Sequence, residues 1–366
     1  MGIKTGIEWC HHTFNPWRGC TKVSDGCKHC YADRDSKRNP KVLGTWGPNG
    51  QRVVAAEAYW RQPLGWNAAA FAAGERRRVF CASLADVFED RTSMPEESWA
   101  RVEGARQRLL FEIQRCRSLD WLLLTKRPEN ILALIGRAIS LNEVSGDDAA
   151  RIANQWLGQN RNVWLGTSIE NQPTADERIP HLLRCRAAVQ FLSIEPLLGA
   201  IDLARWIPVR RCPECGDRFS FAHRCRGTSM NHASQNGIDW VIVGGESGSQ
   251  ARPMHPDWAR SIRDQCADAG VAFFFKQWGE FREPTADELS RQSSRGDLPM
   301  RLVDRTDKCG YYCDESVGHV DHGASAVIRV GKKAAGRLLD GREWSEFPVG
   351  SETRSQASGL TRGEGR

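Results

Sequence analysis

An α/β fold built on a parallel sheet is what this sequence predicts, and three observations predict it. Short, nearly continuous apolar runs recur at residues 79–83, 121–125, 163–168, 189–194, 240–243 and 271–275. Strands covered on both faces read this way, because both sets of side chains must leave water. Helical stretches lie between them. Residues 95–117 carry Trp99, Val102, Leu109, Leu110, Ile113 and Cys116 along one stripe, and residues 256–270 open with Pro256, close with Gly270 and place Trp258, Ile262 and Cys266 four apart. Strand and helix in alternation are the pattern of βα units. Residues 6–9 form a further short run and are expected as a first strand.

The third observation is a polar residue or pair directly after each run: Asp86 and Glu89, Lys126-Arg127, Ser168 with Glu170-Asn171, Glu195, Gly244-Gly245-Glu246-Ser247-Gly248, and Lys276-Gln277. Ligands of parallel α/β folds bind at the carboxyl ends of strands, so these groups are expected to share one rim.

Composition narrows the class. The chain has 366 residues, 40% of them hydrophobic and 26% charged, with a mean hydropathy of −0.52, so it can bury a core and is neither collagen-like nor disordered throughout. Lys and Arg number 51 against 45 Asp and Glu, a formal charge of +6, too mild for a nucleic-acid tail. No apolar stretch approaches membrane-spanning length and the N-terminus lacks the layout of a signal peptide, so a cytoplasmic protein without a membrane partner is expected. In that reducing compartment 13 cysteines, an odd number, argue for metal binding rather than a disulfide framework.

The cysteines fall into groups. Cys20, Cys27 and Cys30 stand at C-x6-C-x2-C in a turn-rich loop marked by Pro16, Gly19 and Gly26. Three thiolates can converge on one metal centre; a structural zinc needs a fourth ligand, and a [4Fe–4S] cluster held by three cysteines leaves one iron open. A zinc knuckle completed by Cys10, His11, His12 or His29 stays open beside that reading. Cys212, Cys215, His223 and Cys225 make a second candidate zinc set, within an arginine-rich insertion over residues 203–236. Cys309 and Cys313 with His319 and His322 make a third. Cys81, Cys116, Cys185 and Cys266 stand alone and are read as small buried hydrophobes.

The cysteine loop resembles the cluster-binding segment of radical S-adenosylmethionine (SAM) enzymes, although the usual spacing is C-x3-C-x2-C and His29 stands where an aromatic residue is common. Trp17-Arg18-Gly19-Cys20-Thr21-Lys22-Val23-Ser24, Leu124-Thr125-Lys126-Arg127-Pro128, Gly166-Thr167-Ser168-Ile169-Glu170-Asn171, Ser193-Ile194-Glu195-Pro196-Leu197, Val243-Gly244-Gly245-Glu246-Ser247-Gly248, Phe275-Lys276-Gln277-Trp278-Gly279 and Gly331-Lys332-Lys333-Ala334-Ala335-Gly336-Arg337 together resemble a phage and prophage protein family described as radical-SAM-like, with a general similarity to spore photoproduct lyase. The resemblance implies a partial or near-complete (β/α) barrel over residues 1–280, with the Cys-rich insertion and a small C-terminal extension over 281–350; residues 351–366, rich in Ser, Gly and Arg, are expected as a disordered tail. It further implies a [4Fe–4S] cluster on Cys20, Cys27 and Cys30, SAM on its open iron, an external electron donor, and reductive cleavage of SAM to a radical that abstracts hydrogen from substrate. The reaction could be that of a lyase, a transferase or an isomerase.

Candidate SAM contacts are Ser168, Glu170, Asn171, Gly244, Gly245 and Glu246. The paired glycines allow close backbone approach and Glu246 offers an acceptor for an ammonium group. Lys126, Glu195 and Lys276 are candidate substrate contacts, with a structural ion pair on the rim as the alternative. No residue is assigned a catalytic role. DNA, RNA or a nucleotide is the expected substrate class, suggested by the phage family, the positive charge, the arginine-rich insertion and the 14 tryptophans. The competing class is a non-enzymatic, zinc-stabilised nucleic-acid-binding or adaptor protein, in which tryptophans stack bases and basic residues neutralise phosphate.

Overall fold

The structure, a computed structural model, describes residues 5–140, 144–207, 222–224, 231–233, 237–295, 300–304 and 323–348. Its centre is one seven-stranded sheet. In chain order the strands are β1 (His12–Thr13), β2 (Arg77–Cys81), β3 (Leu119–Thr125), β4 (Val163–Ser168), β5 (Val189–Ile194), β6 (Trp240–Gly244) and β7 (Ala272–Gln277), and that is also their spatial order. Every neighbouring pair is parallel.

The six apolar runs are β2 to β7. Residues 6–9, expected as the first strand, instead form a turn closed by Cys10 N–H donating to the Ile7 carbonyl (3.2 Å). Pairing with β2 begins only where His11 N–H reaches the Arg78 carbonyl (2.9 Å), so the first strand is His12–Thr13. Trp9 gives the reason: its ring is buried against Phe80 and Trp240 inside the curl of the sheet.

That contact also measures the curl. Trp9 precedes β1 and Trp240 opens β6, five strands away, yet their rings lie 6.2 Å apart. The sheet is therefore a half-barrel, open between the edge strands β1 and β7, which do not pair. Its interior is filled by Trp9, Phe80, Leu122, Trp164, Phe191, Trp240, Ile242 and Phe274, with the half-buried Phe347 of the C-terminal segment packed on Trp240. Gly166 makes room for this plug, since a Cβ there would lie 2.4 Å from the Phe191 ring. Burial of each such aromatic contributes about 2–3 kcal/mol.

The outer face carries the helices α2 (Gln62–Ala72), α3 (Glu96–Arg115), α4 (Ile131–Ser140), α5 (Gly146–Gln159), α6 (Gln172–Leu183) and α7 (Pro256–Ala269), while α1 (Tyr31–Ser36) lies at the carboxyl rim of the sheet. In α3 the predicted stripe of Trp99, Val102, Leu109, Leu110 and Ile113 is buried against the sheet. Helix α7 ends at Gly270, whose φ of 67° is the left-handed conformation that suits glycine at a helix terminus. The lone cysteines Cys81, Cys116, Cys185 and Cys266 are all buried in the core between sheet and helices.

Beyond the half-barrel, β8 (Phe281–Arg282), β9 (Met300–Val303) and β10 (Ser325–Arg329) form a small antiparallel sheet in the order β8-β10-β9. The expected tail over 351–366 lies outside the described residues. Among the described residues no helix is long and apolar enough to cross a membrane.

Candidate functional site

Strand parity decides which side chains face the interior, because successive residues point to opposite faces. Phe80, Leu122, Trp164, Phe191, Ile242 and Phe274 point inward. Counting on by twos toward the carboxyl ends reaches Ala82, Lys126, Ser168, Glu195, Glu246 and Lys276, and all six line one cavity of about 260 Å³ above the aromatic plug. The predicted rim is thus real where parity brings a residue inward.

Cys20, Cys27 and Cys30 line the same cavity. The loop that carries them follows β1, turns at Gly19 in the left-handed region (φ 105°), passes through a one-turn helix at Asp25–Cys27, and ends with Cys30 immediately before α1. These three are partly exposed, whereas Cys10, Cys81, Cys116, Cys185 and Cys266 are buried.

Three sets of charges hold the loop in place. Beneath Cys20, Thr21 N–H donates to Glu89 Oε1 (2.8 Å) and Arg127 donates to the Thr21 carbonyl (2.6 Å) while its Nη1 lies 3.9 Å from Cys20 Sγ. Arg127 is itself paired with Asp86 (3.0 Å), and Arg52 with Glu89 (2.7 Å); the Arg52 and Glu89 side chains are completely buried. Arg52 also donates to the carbonyls of Thr45, Gly47 and Gly50, tying down the segment that covers the loop. Beneath Cys27, Ser24 donates to Glu170 Oε1 (2.9 Å), and Glu170 pairs with Lys126 and with Arg178 (3.2 Å). On the far side, Arg252 grips both oxygens of Glu246 (2.8 and 2.9 Å) and donates to the Asp25 carbonyl (2.9 Å), while His29 Nδ1 lies 3.2 Å from Glu246 Oε2.

These surroundings shift the titrating groups. Burial, then the carboxylates of Glu89 and Asp86, push the Cys20 thiol up, against the pull of Arg127. Burial also raises Cys30. For Glu170 the raising effect of burial is outweighed by Lys126 and Arg178, and for Glu246 by Arg252 and His29, so both carboxyls sit below their ordinary value. A thiol that is costly to ionise alone becomes a ligand when a bound cation compensates its charge.

Nine of the twelve candidate cluster, SAM and substrate contacts therefore meet at one cavity: Cys20, Cys27, Cys30, Lys126, Ser168, Glu195, Gly245, Glu246 and Lys276. Three others do not line it. Glu170 is wholly buried beneath the loop, Asn171 caps α6 through a reciprocal pair with Thr174, and Gly244 lies under the Glu195 side chain. Cys212, Cys215 and Cys225 lie outside the described residues, with His223 in the short strand Ala222–Arg224; Cys309, Cys313, His319 and His322 lie outside them too. Sequence reasoning missed the clamp made by Arg52, Arg127 and Arg252. Arg127 was visible as a rim residue, but nothing in the pattern around Arg52 or Arg252 signals burial or a partner.

A half-barrel with three thiols and a ring of inward charges at its carboxyl mouth defines the class, an open (β/α) fold with one polar, cysteine-bearing cavity. The chain belongs to the family described as "Protein of unknown function (DUF5131)", whose profile matches residues 4–348. Among solved structures, a cysteine-to-serine mutant of spore photoproduct lyase is similar at 11% sequence identity and a TM-score of 0.38, over 90% of this chain and 72% of that one. No curated protein matches.

Proposed function

We propose that this protein is a radical SAM enzyme whose [4Fe–4S] cluster is held by Cys20, Cys27 and Cys30. The observation that supports this reading is that these three cysteines, alone among the described ones in being partly exposed, line one cavity together with the inward-facing strand-end residues. The donor set fits the group. Three cysteines can each take a separate iron of a cluster and leave the fourth iron open, whereas a structural zinc needs a fourth protein donor.

When bound, such a cluster supplies an open iron for SAM and, with an external donor, the electron for its reductive cleavage. The chain supplies the rest. Arg127 offsets negative charge beside Cys20, and Glu170 and Arg252 hold the middle of the loop at the neighbouring residues Ser24 and Asp25, between Cys20 and Cys27. Ser168 and Glu246 Oε1, which takes one hydrogen bond from Arg252, offer SAM polar contacts beside Gly245, whose N–H and carbonyl are both engaged by Gln277. The aromatic plug closes the floor, so water does not reach the cavity from below.

The test is anaerobic purification with assays of iron, sulfide and zinc, then reduction with dithionite in the presence of SAM. Iron with 5′-deoxyadenosine formation that Cys27→Ala abolishes is the expected result. Zinc alone, with no cleavage and no spectral response to SAM, overturns the reading.

A further inference from the structure

The cysteine-lined cavity does not end at its own walls. A second cavity, of about 750 Å³, shares Ile7, Tyr31, Ser83, Lys276 and Gln277 with it and is bounded by β1 on one side, through His12 and Thr13, and by β7 on the other. It therefore occupies the gap where the half-barrel fails to close. A closed barrel would admit a ligand only through its mouth; this gap admits one from the side, as an extended or bulky molecule requires.

The walls of the second cavity divide by chemistry. On the β1 side stand aromatic rings: Trp66 is half-buried and stacked flat on His12 (4.3 Å between centroids, 2° between planes), and Tyr59 is stacked on Phe14 (5.0 Å). On the other side stand cations, Arg34, Lys276 and Lys332. The one acid there, Glu280, is engaged by Gly248 N–H (2.9 Å). Lys276 is shared with Glu195 and Arg34 with Asp35, but the Lys332 ammonium is exposed and has no ion pair among the described residues. The exposed amide of Gln62 adds one group able both to donate and to accept.

We propose that this side cavity is the substrate site and that it takes a nucleotide, with a planar base on the Trp66 and Tyr59 side and a phosphate on the Lys332 and Arg34 side. A planar π-surface, a hydrogen-bonding amide and exposed cations, lining one space, match that combination. The proposal rests on the radical SAM reading only for its purpose. The seam at Lys276 then delivers the reacting part of the substrate to the cysteine cavity. The same chemistry belongs to a free nucleotide and to one unit of a nucleic-acid strand.

The experiment is equilibrium binding to the full-length, anaerobically reconstituted protein at saturating SAM, and to the same protein stripped of metal. The probes are the four ribonucleoside 5′-monophosphates, the matching nucleosides, and a fluorescein-labelled single-stranded DNA dodecamer. Expected are nucleotide binding in both preparations, nucleosides weaker by about tenfold or more, and a loss of about tenfold or more in each of Trp66→Ala and Lys332→Glu. A dodecamer that binds more tightly than any mononucleotide makes the source a strand, and equal affinity makes it a free nucleotide. Three results overturn the proposal: no binding of any probe, displacement of the nucleotides by SAM, or affinity unchanged in both variants. Lys332 is exposed, so its variant keeps the test decisive if Trp66→Ala does not fold. SAM cleavage without nucleotide binding overturns the cavity assignment alone, and nucleotide binding without cleavage overturns the radical reading alone.

Discussion

Glu195 crosses over Gly244 to reach Lys276, setting Oε1 3.0 Å from Nζ. The two residues lie at the ends of β5 and β7, with β6 between them. The bridge is open only because β6 presents a glycine there, for a Cβ on Gly244 would fall 2.4 Å from Glu195 Oε1. The pair is mostly buried, and its Lys276 lines both cavities.

Gly244→Ala is expected to displace Glu195 and to destabilise the protein by about 1–3 kcal/mol, the usual effect of overpacking. In a Glu195→Ala background the same change meets no carboxylate and should lose most of that effect. A double-mutant cycle by urea unfolding measures the difference, and additive effects would show that the crossing is unimportant.

The cysteine loop depends on a second close approach. A Cβ at Gly26 would lie 2.3 Å from Glu170 Oε1, so Gly26→Ala should lift the loop away from the charges beneath it. Iron bound per chain after reconstitution should fall severalfold, while Gly65→Ala, with open space at its Cβ, should leave it unchanged. Equal iron in both variants would count against the loop being seated on Glu170.

Arg52→Met leaves Glu89 buried without its bidentate partner and frees the carbonyls of Thr45, Gly47 and Gly50. Breaking a buried pair in this way costs about 3–5 kcal/mol. Replacing both residues, Arg52→Met with Glu89→Leu, should recover part of the loss, because no lone charge then remains. Chemical denaturation compares the two.

Acid should weaken the loop's foundation. The Glu170 carboxyl is held below its ordinary value of 4.5 by Lys126 and Arg178 despite its burial, so its stabilising contribution is complete above that value and is lost as pH falls through the lower, folded one. Thermal midpoints taken from pH 7 down to pH 3 should drop more steeply in the wild type than in Glu170→Gln. The variant itself should be less stable at pH 7, since Lys126 and Arg178 lose their counter-charge. Parallel pH curves for the two proteins would contradict the assignment.

Much of this molecule is legible in its sequence, for a physical reason. Strands β2 to β7 are buried on both faces, so their apolar runs announce them, and helices α3 and α7 show their buried stripes at helical spacing. Alternation along each strand also carries Lys126, Ser168, Glu195, Glu246 and Lys276 to the interior, and the three cysteines lie close enough in sequence to be read as one group.

What only the tertiary structure decided depends on contacts between distant residues. Residues 6–9 look like a strand, but the curl of the sheet gives the Trp9 ring a place against Trp240, and that burial outweighs the local preference for pairing. Glu170 and Asn171 have the right composition for ligand contacts, yet packing turns one into the buried footing of the cysteine loop and the other into a helix cap. Arg127 reads only as a rim residue, and Arg52 and Arg252 carry no signal at all, until the fold brings them against Asp86, Glu89 and Glu246. Sequence pattern records how each segment divides itself between water and core. It cannot record which charge, 37 residues away in the case of Arg52 and Glu89, will be there to meet it.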